Sequence, residues 1–525
     1  MKRLTRLIPL ALPLLWGCTD EQLTSVATTT ATPVASVARG LYAAYDVENR
    51  GASYAAPTFP AFEQLPTIRI LPDPFRSFGG SVDLSDAGWS RRRNEIKASI
   101  EKYEIGPKPP PTDVDVTASY ANGTLTVVVT RRSNQRSITF TSPILLPAGG
   151  TGPFPAIIGM TWMCWEPWFP CTGAGSLPVD IFTSRNIARI SYMHNQATTY
   201  YGKSPNDPYF FLYPEYAASG AVGQYSAWSW GVSRLIDGIQ LAARAGTLPI
   251  DAGHLGVTGC SYAGKMALFA GALDERIALT IAQESGGGGM PAWRVSQAIG
   301  DPRGGVEKID NTDGSWFITG MKTQFAGDLV TRLPHDHHEL MAMVAPRGLL
   351  ATNNNDFIWL SNPAAYVSAR AAQETYRTLG VADRFGFVVD GGHGHCAVPT
   401  SQRPAIEAFV DKFLLGQSVA TDVQVHPFPE LDYQSWMPWA LRNVLAQFVA
   451  NGTLSADQAA GLSDKLEAAL ASIAEGRTAP ALNQLKAFTN QVNAFVNARA
   501  LTPAQGAALI ARIEGTRALV ANLPD

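Results

Sequence analysis

The chain has 525 residues, more than one ordinary core accommodates, since cores stop growing near roughly 250 to 300 residues. Apolar residues make up 46% and charged residues 16%, which excludes a mainly disordered chain. A formal charge of -3 excludes the basic field that nucleic-acid binding needs.

The first residues read MKRLTRLIPLALPLLWGCTDEQ, with Lys2, Arg3 and Arg6 ahead of a short apolar run. This predicts an export signal over residues 1–18, too short to span a membrane comfortably as a mature helix. LLWGC also resembles a bacterial lipoprotein processing site, with Cys18 as the lipidated mature N-terminus, although Trp16 is unusual there; the alternative is a simple secretory signal. Membrane attachment would come through that lipid alone, because no later segment offers some twenty uninterrupted apolar residues. In an oxidising compartment Cys164, Cys171, Cys260 and Cys396 could form two disulfides, and spacing does not choose among the three pairings.

Residues 19–40 are rich in Thr, Ser and Ala without an apolar period and predict a flexible tether. From 41 to 420 short apolar runs recur: GTLTVVVTRR, SITFTSPILL, FPAIIGMTW, NIARISYM, HLGVTGC, IALTIAQE, PRGLLATNN and RFGFVVDGG. The later ones alternate with helical patterns such as WGVSRLIDGIQLAARAG and NPAAYVSARAAQETYRTLG. That alternation predicts a doubly wound, mostly parallel sheet with antiparallel strands at its start.

Residues 427–525 predict a separate small all-α unit. Leu462, Leu466, Leu470 and Ile473 share one helical face, Ser455 and Gln458 form a capping box, and Thr502, Pro503 and Gln505 repeat the start signal. No cluster of Cys, His or acidic residues there supports chemistry.

The chemistry centres on HLGVTGCSYAGKMALFAGAL, residues 254–273. Ser261 stands between a strand pattern and a helix pattern, with Gly259, Ala263 and Gly264 permitting close approach. A serine hydroxyl is a weak nucleophile and needs a base oriented by an acid. In α/β-hydrolases these follow in the order Ser, Asp or Glu, His, at strand ends. His393 and His395 in VVDGGHGHCAVP both occupy the base position. Glu284 and Asp356 both end strands in between, and position slightly favours Asp356. Cys260 precedes Ser261 and Cys396 follows His395, so a Ser261–His395 contact would bring these cysteines within the roughly 4.4 to 6.8 Å Cα separation of a disulfide. That pairing favours His395 and leaves Cys164 and Cys171 to close CWEPWFPC.

These residues resemble the glucuronoyl esterases of bacteria and fungi over nearly all of 65–415. The resemblance rests on LPDPF, EIKASIEKYEIGPKPP, AWSWGVSRLID, VTGCSYAGKMALFAGALDERIALTIAQESGGGG, LPHDHHELMAMVAPRGLL, NNNDFIWL and GHGHCAVP. It implies a three-layer α/β-hydrolase with Ser261 as nucleophile, His395 as base, Glu284 as the acid most often used and Asp356 at an alternative acid position. It also implies the Cys260–Cys396 bridge and sugar contacts from Lys265 and Trp359. One departure stands out: Tyr262 occupies the place of an arginine that helps to stabilise the oxyanion. The Tyr262 backbone N–H can still donate, and losing one oxyanion donor typically costs about 10² to 10³ in rate. The family's sugar-binding Gln and Glu have no clear match in DPRGGVEKIDNTDGSW, where Arg303, Glu307 and Asn311 are the polar candidates.

The resemblance implies a serine carboxylic-ester hydrolase, without cofactor, acting on esters of (4-O-methyl-)glucuronic acid in glucuronoxylan–lignin linkages. Its partner would be that polysaccharide. The alternatives are an acetyl or feruloyl xylan esterase and a non-catalytic polysaccharide-binding surface lipoprotein. HDHHE at 335–339 has metal-type ligands, but adjacent residues rarely all face one ion, so no metal is expected. The tryptophans of WMCWEPWF could stack on sugar or aromatic rings, or simply pack. LNQLKAFTNQVNAFV followed by LTPAQ resembles a helical module appended to secreted bacterial hydrolases.

Overall fold

Ten strands form one sheet in the order β1-β2-β3-β5-β4-β6-β7-β8-β9-β10. They are β1 (Val114–Ala121), β2 (Thr124–Arg131), β3 (Ser137–Leu145), β4 (Phe154–Thr161), β5 (Ala188–Met193), β6 (Ile250–Cys260), β7 (Ile277–Gln283), β8 (Gly348–Asn354), β9 (Phe385–Asp390) and β10 (Gln424–Val425). The structure, a computed structural model, describes residues 44–164, 170–200, 203–217 and 220–521. The signal over 1–18, Cys18 and the tether over 19–40 lie outside the described residues, as do Trp165 and Trp168.

The first three strands pair antiparallel, as does β3 with β5, and every pairing from β5 to β10 is parallel. Sequence pattern explains the division. In β3 exposed and buried residues alternate, as suits a sheet wet on one face, whereas β7 and β8 are buried at every position, as suits a parallel strand covered on both. Two strands escape the sequence reading. β1 alternates half-buried Val116, Ala118 and Tyr120 with exposed Asp115, Thr117 and Ser119, only Val114 being fully buried, and β10 is only two residues long. β10 also lies beyond residue 420, so the sheet takes its last strand from the stretch between the two expected segments.

Helices α1 (Asp86–Ile100), α2 (Gln224–Arg244), α3 (Tyr262–Leu273) and α4 (Asn362–Thr378) contribute to the larger core, with α5 (Arg403–Phe413) in a separate cluster. Strand alternation feeds both. Ile157, Leu279, Ile281 and Leu350 meet Ile406, Phe409 and Phe413, whereas Ile158, Val257 and Leu349 join Trp228, Leu235 and Met266. This is the three-layer α/β-hydrolase arrangement.

The C-terminal helices are α6 (Leu441–Ala450), α7 (Ala456–Ala474), α8 (Thr478–Asn497) and α9 (Pro503–Ala521). Ser455 and Gln458 form the reciprocal cap on α7, and Thr502 and Gln505 the same on α9. Leu462, Leu466, Leu470 and Ile473 are buried, as their spacing predicts. These helices also share a core with the hydrolase. Trp439 Nε1 donates to the Leu71 carbonyl at 3.2 Å, and Arg442 pairs with Asp73 at 2.7 Å as well as with Glu467 at 2.5 Å.

Candidate active site

The strand order reverses between β4 and β6, so a crevice opens beyond their carboxyl ends, where open α/β sheets bind ligands. Ser261 follows β6 at that point, and Trp162, 44% exposed, follows β4. Ser261 has φ 59° and ψ -127°, a backbone conformation that costs a non-glycine residue about 1–3 kcal/mol and persists only where its surroundings enforce it. Its N–H donates to the Gln283 carbonyl at 3.0 Å. A Cβ on Gly259 would lie 2.3 Å from the Ala263 carbonyl oxygen, and one on Gly264 would lie 2.2 Å from that of Gln283. Glycine at both positions is what lets β6, α3 and β7 meet this tightly.

A carboxylate that meets His395 arrives on the neighbouring strand. Glu284 follows β7, with φ 43° and its N–H bonded to the Thr352 carbonyl at 2.7 Å, and it is 1% exposed. Its Oε2 lies 2.6 Å from His395 Nδ1. Of the two histidines, therefore, His395 is the one that hydrogen-bonds to Glu284. His393 Nδ1 stands 3.7 Å from Glu284 Oε1, and its ring engages Asn354 at 3.1 Å and Asp390 at 3.2 Å. Asp356, which strand position slightly favoured as the acid, is turned elsewhere: its Oδ2 accepts the Gly392 N–H at 2.6 Å. It holds the histidine loop and makes no hydrogen bond to the His395 ring among the described residues.

Cys260 and Cys396 are disulfide-bonded with Cα atoms 5.7 Å apart, tying the residue before Ser261 to the residue after His395. Cys164 and Cys171 form the second bridge. Cys260, Cys396 and His395 place three potential metal ligands within 4.8 Å, but both sulfurs are engaged with each other. Among the described residues no hydrogen bond joins the Ser261 hydroxyl to His395; contacts between a serine and its base commonly tighten only in the Michaelis complex.

Lys265, on the first turn of α3, is buried, with Nζ 3.0 Å from Glu307 Oε2 and 4.9 Å from the centre of the Trp316 ring. Thr312 donates to the other Glu307 oxygen at 2.7 Å, and the Glu307 N–H donates to the Trp359 carbonyl at 3.0 Å. Trp359 is 47% exposed, its ring 5.7 Å from that of His395, with Phe357 at 5.3 Å. The structure thus brings Lys265, Glu307 and Trp359 together. Arg303 is separate: its guanidinium is held by Asp301 and by the Asn355 carbonyl. Asn311 stays within its own loop, donating to the Val306 carbonyl.

Tyr262 opens α3, and its hydroxyl meets His194 Nε2 at 3.2 Å. Burial pushes the His194 ring down to about 3, so it is neutral at ordinary pH. Sequence reasoning did not single out His194, Trp316 or Phe357, although Phe357 and Trp316 lie inside stretches quoted above; each belongs to a different loop.

The HDHHE run faces several ways. His335 and His337 both meet Glu104, at 2.9 and 2.7 Å, while His338 meets the Pro72 carbonyl at 2.8 Å. Asp336 pairs with Arg294 at 3.0 Å and Glu339 with Arg92 at 2.8 Å. Burial favours a neutral Glu104, but the two imidazoles outweigh it and hold the carboxyl well below its ordinary range.

Comparison with known proteins agrees with this geometry. The family described as "Glucuronyl esterase, fungi" matches residues 129–380, and the FIMAH domain matches 440–518. The 4-O-methyl-glucuronoyl methylesterase 1 of Phanerochaete chrysosporium is 38% identical over 374 residues, covering 70% of this chain and 74% of that protein. The crystal structure of the glucuronoyl esterase from Sporotrichum thermophile superposes with a TM-score of 0.64 at 34% identity, covering 72% of this chain and 96% of that one. A serine-to-alanine mutant of that enzyme, in complex with methyl 4-O-methyl-beta-D-glucopyranuronate, gives a TM-score of 0.64 at 32% identity, covering 74% and 98%. Likeness of sequence and fold over these lengths means that the chain belongs to the glucuronoyl esterase family.

Proposed function

We propose that this chain hydrolyses esters formed on the carboxyl group of (4-O-methyl-)glucuronic acid, as in glucuronoxylan–lignin linkages. The observation that carries this reading is the 2.6 Å bond between Glu284 and His395, beside a disulfide that joins the neighbours of Ser261 and His395. His395 takes the Ser261 proton as the serine oxygen attacks the uronate carbonyl. The tetrahedral intermediate collapses with loss of the alcohol, which receives the proton from His395, and an acyl-enzyme remains. Water, deprotonated by the same ring, attacks the acyl carbonyl; as the acyl–oxygen bond breaks, His395 returns its proton to the serine oxygen, freeing the uronic acid and Ser261. Glu284 fixes the imidazole orientation and stabilises the imidazolium in both halves. Asp356 supports the loop carrying His395 through Gly392.

The substrate assignment draws on the ligand held by the Sporotrichum thermophile relative and on the cleft itself. Lys265 and Glu307 offer a donor and an acceptor to sugar hydroxyls, Trp359 offers an exposed ring face, and the Tyr262 N–H offers an oxyanion donor. Arg303, anchored on Asp301, would serve at most at the cleft margin.

The partner in this reading is a glucuronic-acid-bearing polysaccharide. The two disulfides fit an oxidising compartment, and we place the chain outside the cytoplasm, anchored by lipid at Cys18. No helix among the described residues is long and apolar enough to cross a membrane. The deciding experiment is hydrolysis of a benzyl glucuronate ester by the full chain beside Ser261→Ala, with acetylated xylan as control. Turnover lost in the variant is expected; a clear preference for acetyl release would overturn the uronate assignment.

A further inference from the structure

We infer that the Tyr262 phenol, held by His194, positions the oxyanion-binding peptide of the nucleophile turn. This rests on the reading of Ser261 as nucleophile. Tyr262 is the first residue of α3, directly after Ser261. In a strand–turn–helix of this kind the N–H of that residue faces the developing oxyanion.

On the Ser261 side this peptide is held by the Ser261 N–H bond to the Gln283 carbonyl and by the Cys260–Cys396 bridge, but the small residues around it add little. Gly259, Ala263 and Gly264 carry at most one carbon of side chain. The large side chain at the turn is that of Tyr262 itself, and it is fixed on several sides. Its ring stands edge to face with Tyr200 at 4.7 Å and with His194 at 5.5 Å, and Trp228 lies at 6.4 Å. Its hydroxyl reaches His194 Nε2 at 3.2 Å, and the Tyr225 hydroxyl donates to its carbonyl at 3.4 Å.

His194 is itself packed into the core. It immediately follows β5, is fully buried, and packs against Trp228 with ring centres 4.6 Å apart. The end of β5 is thereby linked, through one phenol, to the peptide that follows Ser261. The link places no charge beside the oxyanion, so its contribution is geometric: it determines where the Tyr262 N–H points when the carbonyl oxygen becomes negative. Misplacing such a donor raises the barrier to the chemical step and leaves ground-state binding nearly unchanged.

The test uses the full chain with Tyr262→Phe, His194→Phe, His194→Gln and the Tyr262→Phe/His194→Phe double variant, each checked by its melting temperature. On the benzyl glucuronate ester, each phenylalanine variant is expected to lower kcat by about tenfold with KM within about twofold, the scale of one hydrogen bond. The double variant should fall no further, and His194→Gln, which retains a hydrogen-bonding side chain, should keep most of the activity. An unchanged kcat in Tyr262→Phe, losses that multiply in the double variant, or losses confined to KM would overturn the inference. If Tyr262→Phe does not fold, the contrast between His194→Gln and His194→Phe decides alone, and equal activity in those two overturns it. A wild-type chain that cleaves 4-nitrophenyl acetate through Ser261 but no uronate ester would overturn only the substrate assignment. The same variants, read on that acetate, would then decide the positioning role.

Discussion

The Glu284 carboxylate lies 2.6 Å from His395 Nδ1, whereas Asp356, one strand further along, directs its carboxylate to the Gly392 N–H at the same distance. The two acids therefore do different work. Glu284→Gln should lower kcat on the uronate ester by about 10³ to 10⁴, as losing the partner that orients a catalytic imidazole does elsewhere. Asp356→Asn keeps an oxygen for Gly392 and should cost less than about tenfold. Steady-state kinetics on both variants would check this, and equal losses would show that the acid role is shared.

The Cys260–Cys396 bridge closes a separation of 136 residues and joins the two loops that carry Ser261 and His395. A cross-link over so long a loop restricts the unfolded chain strongly, by up to about 5 kcal/mol in the entropic account and more often by 2–4. Replacing both cysteines by alanine should lower the unfolding free energy by that amount. It should also lower kcat more than KM, because the loops would no longer hold nucleophile and base in register. Denaturant unfolding and kinetics of the double variant measure the two effects separately.

Much of this architecture is legible in the residues. Eight of the strands stand as apolar runs, and the tight turn at Ser261 declares itself through Gly259 and Gly264. β1 does not, because on a half-wet antiparallel strand polar residues dilute the apolar signal. Position along the chain left Glu284 and Asp356 open as acids; what separates them is the direction of two side chains, which sequence does not carry. The same holds for the Tyr262–His194 contact, whose partners are 68 residues apart, and for Lys265 with Glu307, 42 apart.

Trp439, 2% exposed, joins the C-terminal helices to the hydrolase: its indole donates to Leu71 and its ring lies on His338, centres 6.2 Å apart at 23°. Trp439→Ala removes a large buried side chain and should cost about 3–5 kcal/mol. Because the helices share the hydrolase core, we expect the full chain to unfold in one transition, and deletion of 427–525 to lower the melting temperature of what remains. Calorimetry of the full and shortened chains would check this; an unchanged melting temperature after deletion would show that the helices fold independently and contribute nothing to the hydrolase.

His338 gives a pH dependence whose sign can be worked out. Burial pushes its ring down to about 4, against an ordinary value of 6.5, with its Nε2 bonded to the Pro72 carbonyl and its ring against Trp439. Between these two values the unfolded chain binds a proton at this position that the folded chain does not. Stability from this group is therefore full above pH 6.5 and falls as the pH drops toward 4. At pH 5 the loss from this one ring is about 2 kcal/mol by linkage, and it levels off below the folded value. His338→Gln retains a donor for Pro72 without a titrating ring. The difference in unfolding free energy between wild type and variant should shift toward the variant by that amount from pH 7.5 to pH 5. Glu339, whose carboxyl burial pushes up to about 7, titrates in both proteins and largely cancels in the difference. Parallel curves over this range would mean that His338 takes up its proton without leaving the core, and that the contact between Trp439 and His338 tolerates a charged ring.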